Sequence, residues 1–192
     1  MGEKDTAYSW AFNDQADDDS VAVLGTIPGR WGRMTPLCRL LLVKIGLLLQ
    51  EKHILKKGQK CSDLGLQVGL VGGTKRGSLH TDKAFICTME NGPGLASPAL
   101  FGYTLPNIPL AEAASHFGLV GPVYALLEVR KPLDSAISEA KRLLLSQKEL
   151  SFMLACEFDH YEDAEHGDTL RVNLTFVGKK YADSDIDLSQ ME

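Results

Sequence analysis

The chain has 192 residues, of which 44% are hydrophobic and 23% are charged, and its formal net charge at pH 7 is −5. This is the composition of one ordinary globular domain with a buried core. The charge is uneven, because residues 1–20 carry six acids and one lysine, residues 181–192 carry four acids and no base, and the part between them is at +4. That weak positive charge falls far short of a nucleic-acid-binding surface, so we expect no nucleic acid partner.

Cysteine usage and the apolar runs indicate the cellular compartment. Four cysteines occur at no regular spacing: Cys38, Cys61, Cys87 and Cys156. A domain of this size folds without cross-links, so the pattern favours reduced thiols and a cytoplasmic location. The first ten residues lack the basic and apolar regions of a signal peptide. The most apolar run, 40–49, is too short to cross a bilayer and contains Lys44, so no membrane span is predicted.

The charge distribution also suggests where the domain lies. Residues 1–19 are predicted to be an acidic lead-in, residues 20–181 a single domain, and residues 182–192 an acidic tail. Just inside the domain, residues 21–27 are a compact apolar run that ends at Pro28. Such a run predicts a first buried strand.

The next segment has the periodicity of a helix. Apolar residues recur at steps of three and four between residues 34 and 54, with Thr35 placed to cap the helix and Pro36 suited to its first turn. We interpret it as a core helix packed on a sheet, with membrane association as the alternative. Residues 56–63 are predicted to be an exposed loop, and residues 64–72 a second buried strand.

The run GTKRGS, residues 73–78, superficially resembles a phosphate-binding loop. A P-loop requires a lysine directly after its second glycine, and none follows Gly77, so we predict no nucleotide site. Residues 78–90 are predicted to form a helix. Cys87 would lie on the apolar face of this helix, and we expect both Cys87 and Cys156 to be shielded from solvent.

Residues 96–122 are the segment whose order, rather than composition, carries information. The pattern predicts an extended approach, then a tightly packed helix over residues 108–117, with Asn107 as its cap and Gly118 as its end. After a bend, residues 123–129 are predicted to form a buried strand.

The motifs of this segment resemble the N-terminal half of the β-ketoacyl synthases. They are Ser-Pro-x-x-Phe from Ser97, Thr-Leu-Pro-Asn from Thr104, and His-Phe-Gly-Leu-x-Gly-Pro from His116. The resemblance implies an α/β fold, the thiolase-like N-terminal half, with a central mixed sheet of about five strands and helices on both faces. A complete condensing enzyme of this family is a duplicated fold, so the resemblance also implies that only the first half is present, without the catalytic histidines of the second.

The same resemblance indicates what chemistry is missing. In the family, the strand after Gly-Pro delivers a nucleophilic cysteine to the start of a helix, and the ungapped position in this chain is Arg130. A guanidinium stays protonated and cannot form an acyl thioester. The resemblance therefore implies Phe101, Asn107 and Arg130 as substrate-binding residues without catalysis. Arg130 is either a buried charge that needs a partner or a solvated residue at the end of its strand.

The rest of the chain is predicted to contain a helix over 132–147, a buried strand over 150–158, an acidic loop over 159–168 and a half-exposed strand over 170–181. Two imidazoles and a carboxylate in the acidic loop would suit a divalent metal, but their spacing matches no standard site. We therefore predict neither metal nor cofactor.

These observations lead to two functional hypotheses. The first is a non-catalytic protein resembling chain-length factors, associated with fatty-acid, aryl-polyene or polyketide synthesis, that acts through a ketosynthase or an acyl carrier protein. In the family, the strand corresponding to 123–129 pairs with its twofold mate, so a homodimer or a heterodimer with a ketosynthase is expected. The alternative is a stand-alone acyl-transfer or thioester-hydrolysing enzyme that uses Cys87 or another site.

Overall fold

The structure, a computed structural model, describes residues 18–90, 92–163 and 167–179. In these ranges the sheet has four strands: β1 (Val68–Thr74), β2 (Val123–Leu127), β3 (Phe152–Asp163) and β4 (Gly167–Gly178). Their order is β2-β1-β3-β4, with β1 parallel to both of its neighbours and β4 antiparallel to β3. The predicted α/β class and mixed sheet are confirmed, with four described strands where about five were expected.

Helices cover both faces of this sheet, as predicted. The described α-helices are α1 (Asp18–Leu24), α2 (Pro36–Glu51), α3 (Leu79–Cys87), α4 (Pro98–Gly102), α5 (Ile108–Phe117) and α6 (Pro132–Ser146). On one face, Leu41 of α2 and Leu110 of α5 are fully buried in a core that includes Phe158 of β3. On the other face, Ala140 of α6 packs in a second core with Met153 of β3. None of the helices in the described part of the chain is long and apolar enough to cross a membrane.

Helix α2 agrees with its sequence pattern. The backbone N–H of Cys38 donates to the Thr35 hydroxyl, and Pro36 occupies the first turn, as the sequence predicted. The end of α5 was also predicted correctly, because Gly118 adopts a left-handed conformation at φ +63°.

The first predicted strand, 21–27, is wrong, because residues 21–24 belong to helix α1 and residues 25–26 form a bend. The close approach of α1 to α2 explains the difference. A Cβ on Gly46 would lie 2.7 Å from a methyl of Val23, so the missing side chain of Gly46 leaves room for α1. A run of only a few apolar residues is compatible with either structure, and here packing against the following helix, α2, favours a helix.

Two further boundaries differ from the prediction. The extended approach before α5 contains helix α4, where the Ser97 hydroxyl accepts a hydrogen bond from Leu100 N at 3.3 Å and Pro98 suits the first turn. Strand β1 begins at Val68 rather than at residue 64, and Cys61, assigned to an exposed loop, is fully buried. Its backbone N–H donates to Phe117 O at 2.8 Å, which holds the loop against the end of α5.

The acidic loop predicted over residues 159–168 is also wrong. Strand β3 runs on to Asp163, and β4 starts at Gly167, so most of the segment is a β-hairpin. Asp159 and His160 are buried within it. The prediction failed because charged residues were assumed to need solvent, whereas the fold supplies partners from elsewhere in the chain.

Candidate functional site at the carboxyl ends of the strands

The three parallel strands all end at the carboxyl-end edge of the sheet, as distinct from the free side of β2. This is where α/β folds usually place ligands. The turns after β1 and β2 meet at this edge, because Glu128 N donates to Thr74 O at 2.8 Å. Strand β3 extends past both turns, and His160 N donates to Gly77 O at 2.9 Å. Residues from distant parts of the sequence are therefore brought together at this edge.

The turn between β2 and α6 contains Arg130, the residue to which the sequence resemblance assigns the nucleophile position. Arg130 is exposed, and its backbone N–H donates to Glu128 Oε1 at 2.7 Å. This hydrogen bond is the main reason that the pKa of Glu128 lies below its usual range. Lys131 is exposed as well, with Nζ 3.8 Å from an Asp134 oxygen. Of the two alternatives for Arg130, the structure supports the solvated residue at the end of its strand.

The start of α6 is pressed directly against β1. A side chain added at Gly73 would overlap the carbonyl oxygen of Pro132, the first residue of α6. Gly73 thus permits a contact between two backbones that no other residue type would allow. This contact fixes the position of the turn that contains Arg130.

Asn107 occupies the predicted N-cap position of α5, but its side chain makes no capping hydrogen bond. Its backbone is already helical (φ −77°, ψ −17°), unlike the extended backbone of a typical cap. The Asn107 side-chain oxygen instead accepts a hydrogen bond from Ala125 N at 2.8 Å. Asn107 therefore ties α5 to strand β2.

Phe101, the third residue assigned to substrate binding, is on α4 with 58% of its surface exposed. Its ring contacts that of Phe85 on α3 at a centroid distance of 5.5 Å. Phe101 thus forms part of an apolar surface between α3 and α4, whereas Asn107 and Arg130 are linked to β2 and the turn that follows it.

The turn after β1 does form an anion-binding loop, and the anion is a side chain of the same protein. Asp159 Oδ1 accepts hydrogen bonds from the Thr74 hydroxyl at 2.7 Å and from the backbone N–H groups of Lys75 (3.1 Å), Arg76 (2.7 Å) and Gly77 (3.0 Å). Consecutive N–H groups in such a turn form a concave site for a negative charge. Since the carboxylate of Asp159 already lies there, the turn is a structural link between β1 and β3.

Next to this link, His80, His160 and Asp168 form a cluster that the sequence analysis did not find. Asp168 Oδ1 is 3.3 Å from His80 Nδ1 and 3.2 Å from His160 Nε2. The two imidazole rings are stacked, with centroids 4.1 Å apart and planes at 6°. Burial, with the neighbouring His80, lowers the pKa of His160 to about 4, so this ring is neutral at pH 7.

The His80–His160–Asp168 cluster was missed because its members come from three elements, α3, β3 and β4. The available signal was the alternation of residues around the hairpin, which places His160 opposite Leu170 and near Asp168. The many acidic residues of the segment favour a loop and obscure this alternation. His166, the other histidine of that segment, lies outside the described residues.

The cysteines differ from the prediction at one position. Burial raises the pKa of Cys38 to about 12 and that of Cys61 to about 11, and it also raises the pKa of Cys156. Cys156 is shielded, as predicted, but Cys87 at the end of α3 is exposed. The predicted shielding of Cys87 is wrong because its side of α3 has no covering element among the described residues, where Ile86 is also exposed.

Comparisons with known proteins identify the fold. No family model and no curated protein matches the chain. Among solved structures, the ishigamide ketosynthase/chain length factor matches with a TM-score of 0.61 and 20% identity, over 79% of this chain and 45% of that chain. The ketosynthase ApeO in complex with its chain length factor ApeC, from Xenorhabdus doucetiae, matches with a TM-score of 0.51 and 14% identity, over 69% and 49%.

A β-ketoacyl synthase from Burkholderia phymatum STM815 also matches, with a TM-score of 0.56 and 12% identity, over 80% of this chain and 35% of that chain. The chain thus spans less than half the length of each of these proteins. At these identities the likeness shows the fold. The domain has a ketosynthase-like, thiolase-type fold, which confirms the fold that the motifs implied.

Proposed function

We propose that the chain is a non-catalytic ketosynthase-like protein of the chain-length-factor type, associated with fatty-acid, aryl-polyene or polyketide synthesis. The observation that carries the proposal is the turn between β2 and α6. It has the strand-to-helix form that the resemblance requires, and Arg130, the residue that the resemblance assigns to the nucleophile position, is exposed in it. Since a guanidinium cannot accept an acyl group, the turn lacks the thioester chemistry of a condensing enzyme.

The buried thiols support the same proposal. Cys38, Cys61 and Cys156 are held away from solvent with raised pKa values, and a protonated thiol is a poor nucleophile. If the alternative, acyl transfer or thioester hydrolysis, uses a thiol, that thiol would therefore be Cys87. Its exposure makes that alternative testable.

We expect the wild-type protein to show no condensation and no decarboxylation with malonyl- and acyl-loaded carrier proteins. Arg130→Cys in these 192 residues should be equally inactive, because the resemblance assigns the histidines that act with the thiol to a half of the fold that these residues do not match. The measurement is transfer of a radiolabelled acyl group to protein, together with product formation, with a catalytic ketosynthase as the positive control. Condensation by the wild-type protein would refute the proposal, and an acyl label lost in Cys87→Ser would support the alternative.

We further propose that the partner binds along β2. This strand is at the edge of the described sheet, and its sequence VYALL has no charged residue or proline. The N–H of Ala125 is already bonded to Asn107, so a partner strand would pair with the remaining groups of this edge or displace that side chain. On one side it is secured to its own domain, because the Tyr124 hydroxyl donates to Glu139 of α6. Leu127, at its end, is 79% exposed. A second copy of the chain or a ketosynthase would cover this edge by strand pairing.

The turn after β2 adds a reason to include an acyl carrier protein among the partners. Arg130 and Lys131 are both exposed there, and positive charge attracts an acidic protein. This contact would lie beside the strand edge, so the carrier protein and the second subunit would occupy neighbouring surfaces.

Leu127→Lys should weaken the dimer by about tenfold or more, because it places a charge in an apolar strand pairing. Sedimentation velocity over micromolar concentrations, alone and with a candidate ketosynthase, measures the effect. Leu47→Lys is the matched control, since it changes an exposed leucine on α2, away from the sheet edge. If the wild-type chain remains a monomer under both conditions, pairing through β2 is refuted.

A further inference from the structure

The cluster of His80, His160 and Asp168 has the donor atoms of a metal site, and two of its three spacings fit one. One ligand atom from each residue lies within 4.8 Å of the others. Four ligands placed tetrahedrally at about 2.0–2.1 Å from a zinc ion are about 3.3 Å apart. The distances from Asp168 Oδ1 to the two imidazole nitrogens, 3.3 and 3.2 Å, are close to this value.

We propose that His80, His160 and Asp168 bind a divalent transition-metal ion of the Zn²⁺ class, which joins α3 to the β3–β4 hairpin. Two imidazoles and one carboxylate suit this class of ion, whereas Mg²⁺ and Ca²⁺ prefer oxygen ligands alone. Three protein ligands leave a position for water or another ligand. This function is separate from partner binding at β2.

Accessibility differs among the three residues in a way that suits metal entry. The side chain of Asp168 is 52% exposed and that of His80 26% exposed, so an ion can reach them from solvent. His160 is only 2% exposed, and its backbone N–H is bonded to Gly77 O. It therefore provides a fixed ligand, toward which the two more exposed residues can adjust.

The stacking of the rings indicates which residue must adjust. In two nearly parallel imidazoles, the in-plane lone pairs run side by side rather than converging on one point. A shared ion therefore requires His80, the more exposed ring, to rotate out of the stack. Metal binding should replace the ring stacking, so the NMR signals of the His80 ring should shift strongly on addition of Zn²⁺.

The environment of His160 also sets the expected affinity. Its other nitrogen, Nδ1, is buried and has no hydrogen-bond partner in the described part of the chain. Metal-bound histidines usually donate from the second nitrogen to a carbonyl or carboxylate, which strengthens binding. Without that partner, we expect a dissociation constant in the micromolar rather than the nanomolar range. A micromolar constant corresponds to a binding free energy of about −8 kcal/mol.

The test is isothermal titration calorimetry of the 192-residue protein with ZnCl₂ at pH 7.4. The parent protein for this test is Cys87→Ser, because the exposed thiol could bind zinc by itself. All other variants are made in this parent. We expect one ion per chain, and an affinity reduced by about 10-fold or more in both His80→Asn and Asp168→Asn. These two residues are partly exposed, so their variants should fold, whereas loss of the buried His160 could disturb the core.

His53→Asn and Asp134→Asn are the matched controls, since both residues are exposed and outside the cluster. Their affinity for Zn²⁺ should equal that of the parent protein. The proposal is overturned if the parent does not bind Zn²⁺ at micromolar concentrations, or if His80→Asn and Asp168→Asn bind as well as the controls. In that case the three side chains form a hydrogen-bonded cluster only. Neither result depends on condensation or on dimer formation.

Discussion

Gly73→Ala should lower the free energy of unfolding by about 4 kcal/mol or prevent folding, which is a large fraction of the stability of a domain this size. The new Cβ would overlap the carbonyl oxygen of Pro132 and lie 2.9 Å from its Cα. These are backbone atoms at the start of α6, so the clash cannot be relieved by rotating a side chain. Either β1 or the whole of α6 must shift, and the cores on both faces of the sheet depend on their positions.

Urea unfolding followed by circular dichroism measures this effect. Gly29→Ala is the matched control, because a Cβ there meets no atom within 4 Å and the backbone is not in the left-handed region. It should change stability by less than about 0.5 kcal/mol. A Gly73→Ala protein that unfolds at the wild-type urea concentration would show that α6 is not packed against β1 in this way.

The features that could be predicted from sequence are those specified by neighbouring residues. The helical period of α2, the Thr35 cap and the left-handed Gly118 each depend on a few consecutive positions. The same is true of β4, whose alternation was recognised. The motifs of residues 96–122 were specific enough to imply the fold, because they combine local structure with a fixed order.

The features that were missed depend on contacts between distant segments. Residues 21–24 are helical because α2 offers them a surface beside Gly46. Asn107 bonds to Ala125 rather than to its own helix. Cys87 is exposed although α3 has apolar residues around it, because no described element covers that side. Local periodicity contains no information about which neighbour will be present.

Some features of the candidate site can also be seen in the sequence, whereas others depend on contacts between distant segments. The absence of a thiol near Arg130 can be seen in the sequence, and the structure adds that the residue is solvated. In contrast, the His80–His160–Asp168 cluster exists only after three elements are brought together. Asp159 illustrates the physical reason, since a carboxylate in an acidic stretch was interpreted as a surface residue, although it is only 4% exposed.

Asp159→Ala should destabilise the protein by about 3 kcal/mol. It removes the acceptor shared by the Thr74 hydroxyl and the N–H groups of residues 75–77. Hydrogen bonds to a charged acceptor are worth about 1.5–3 kcal/mol each, but they are not additive, and Gly77 N keeps a bond to the Thr74 hydroxyl. Water can also reach the exposed residues Lys75 and Arg76, which limits the loss.

Asp159→Asn separates the role of geometry from that of charge. All four short hydrogen bonds converge on Oδ1, so an asparagine that presents its oxygen there keeps these four bonds. It loses the charge and the longer bond of 3.4 Å from Lys75 N to Oδ2. We expect a loss of about 1 kcal/mol, between the wild type and the alanine variant. Glu162→Ala, an exposed position farther along β3, serves as the control and should lie within about 0.5 kcal/mol of the wild type. Urea midpoints that are equal for Asp159→Ala and Glu162→Ala would contradict the link between β1 and β3. A midpoint for Asp159→Asn as low as that for Asp159→Ala would show instead that the negative charge, rather than the placement of one oxygen, holds the turn in place.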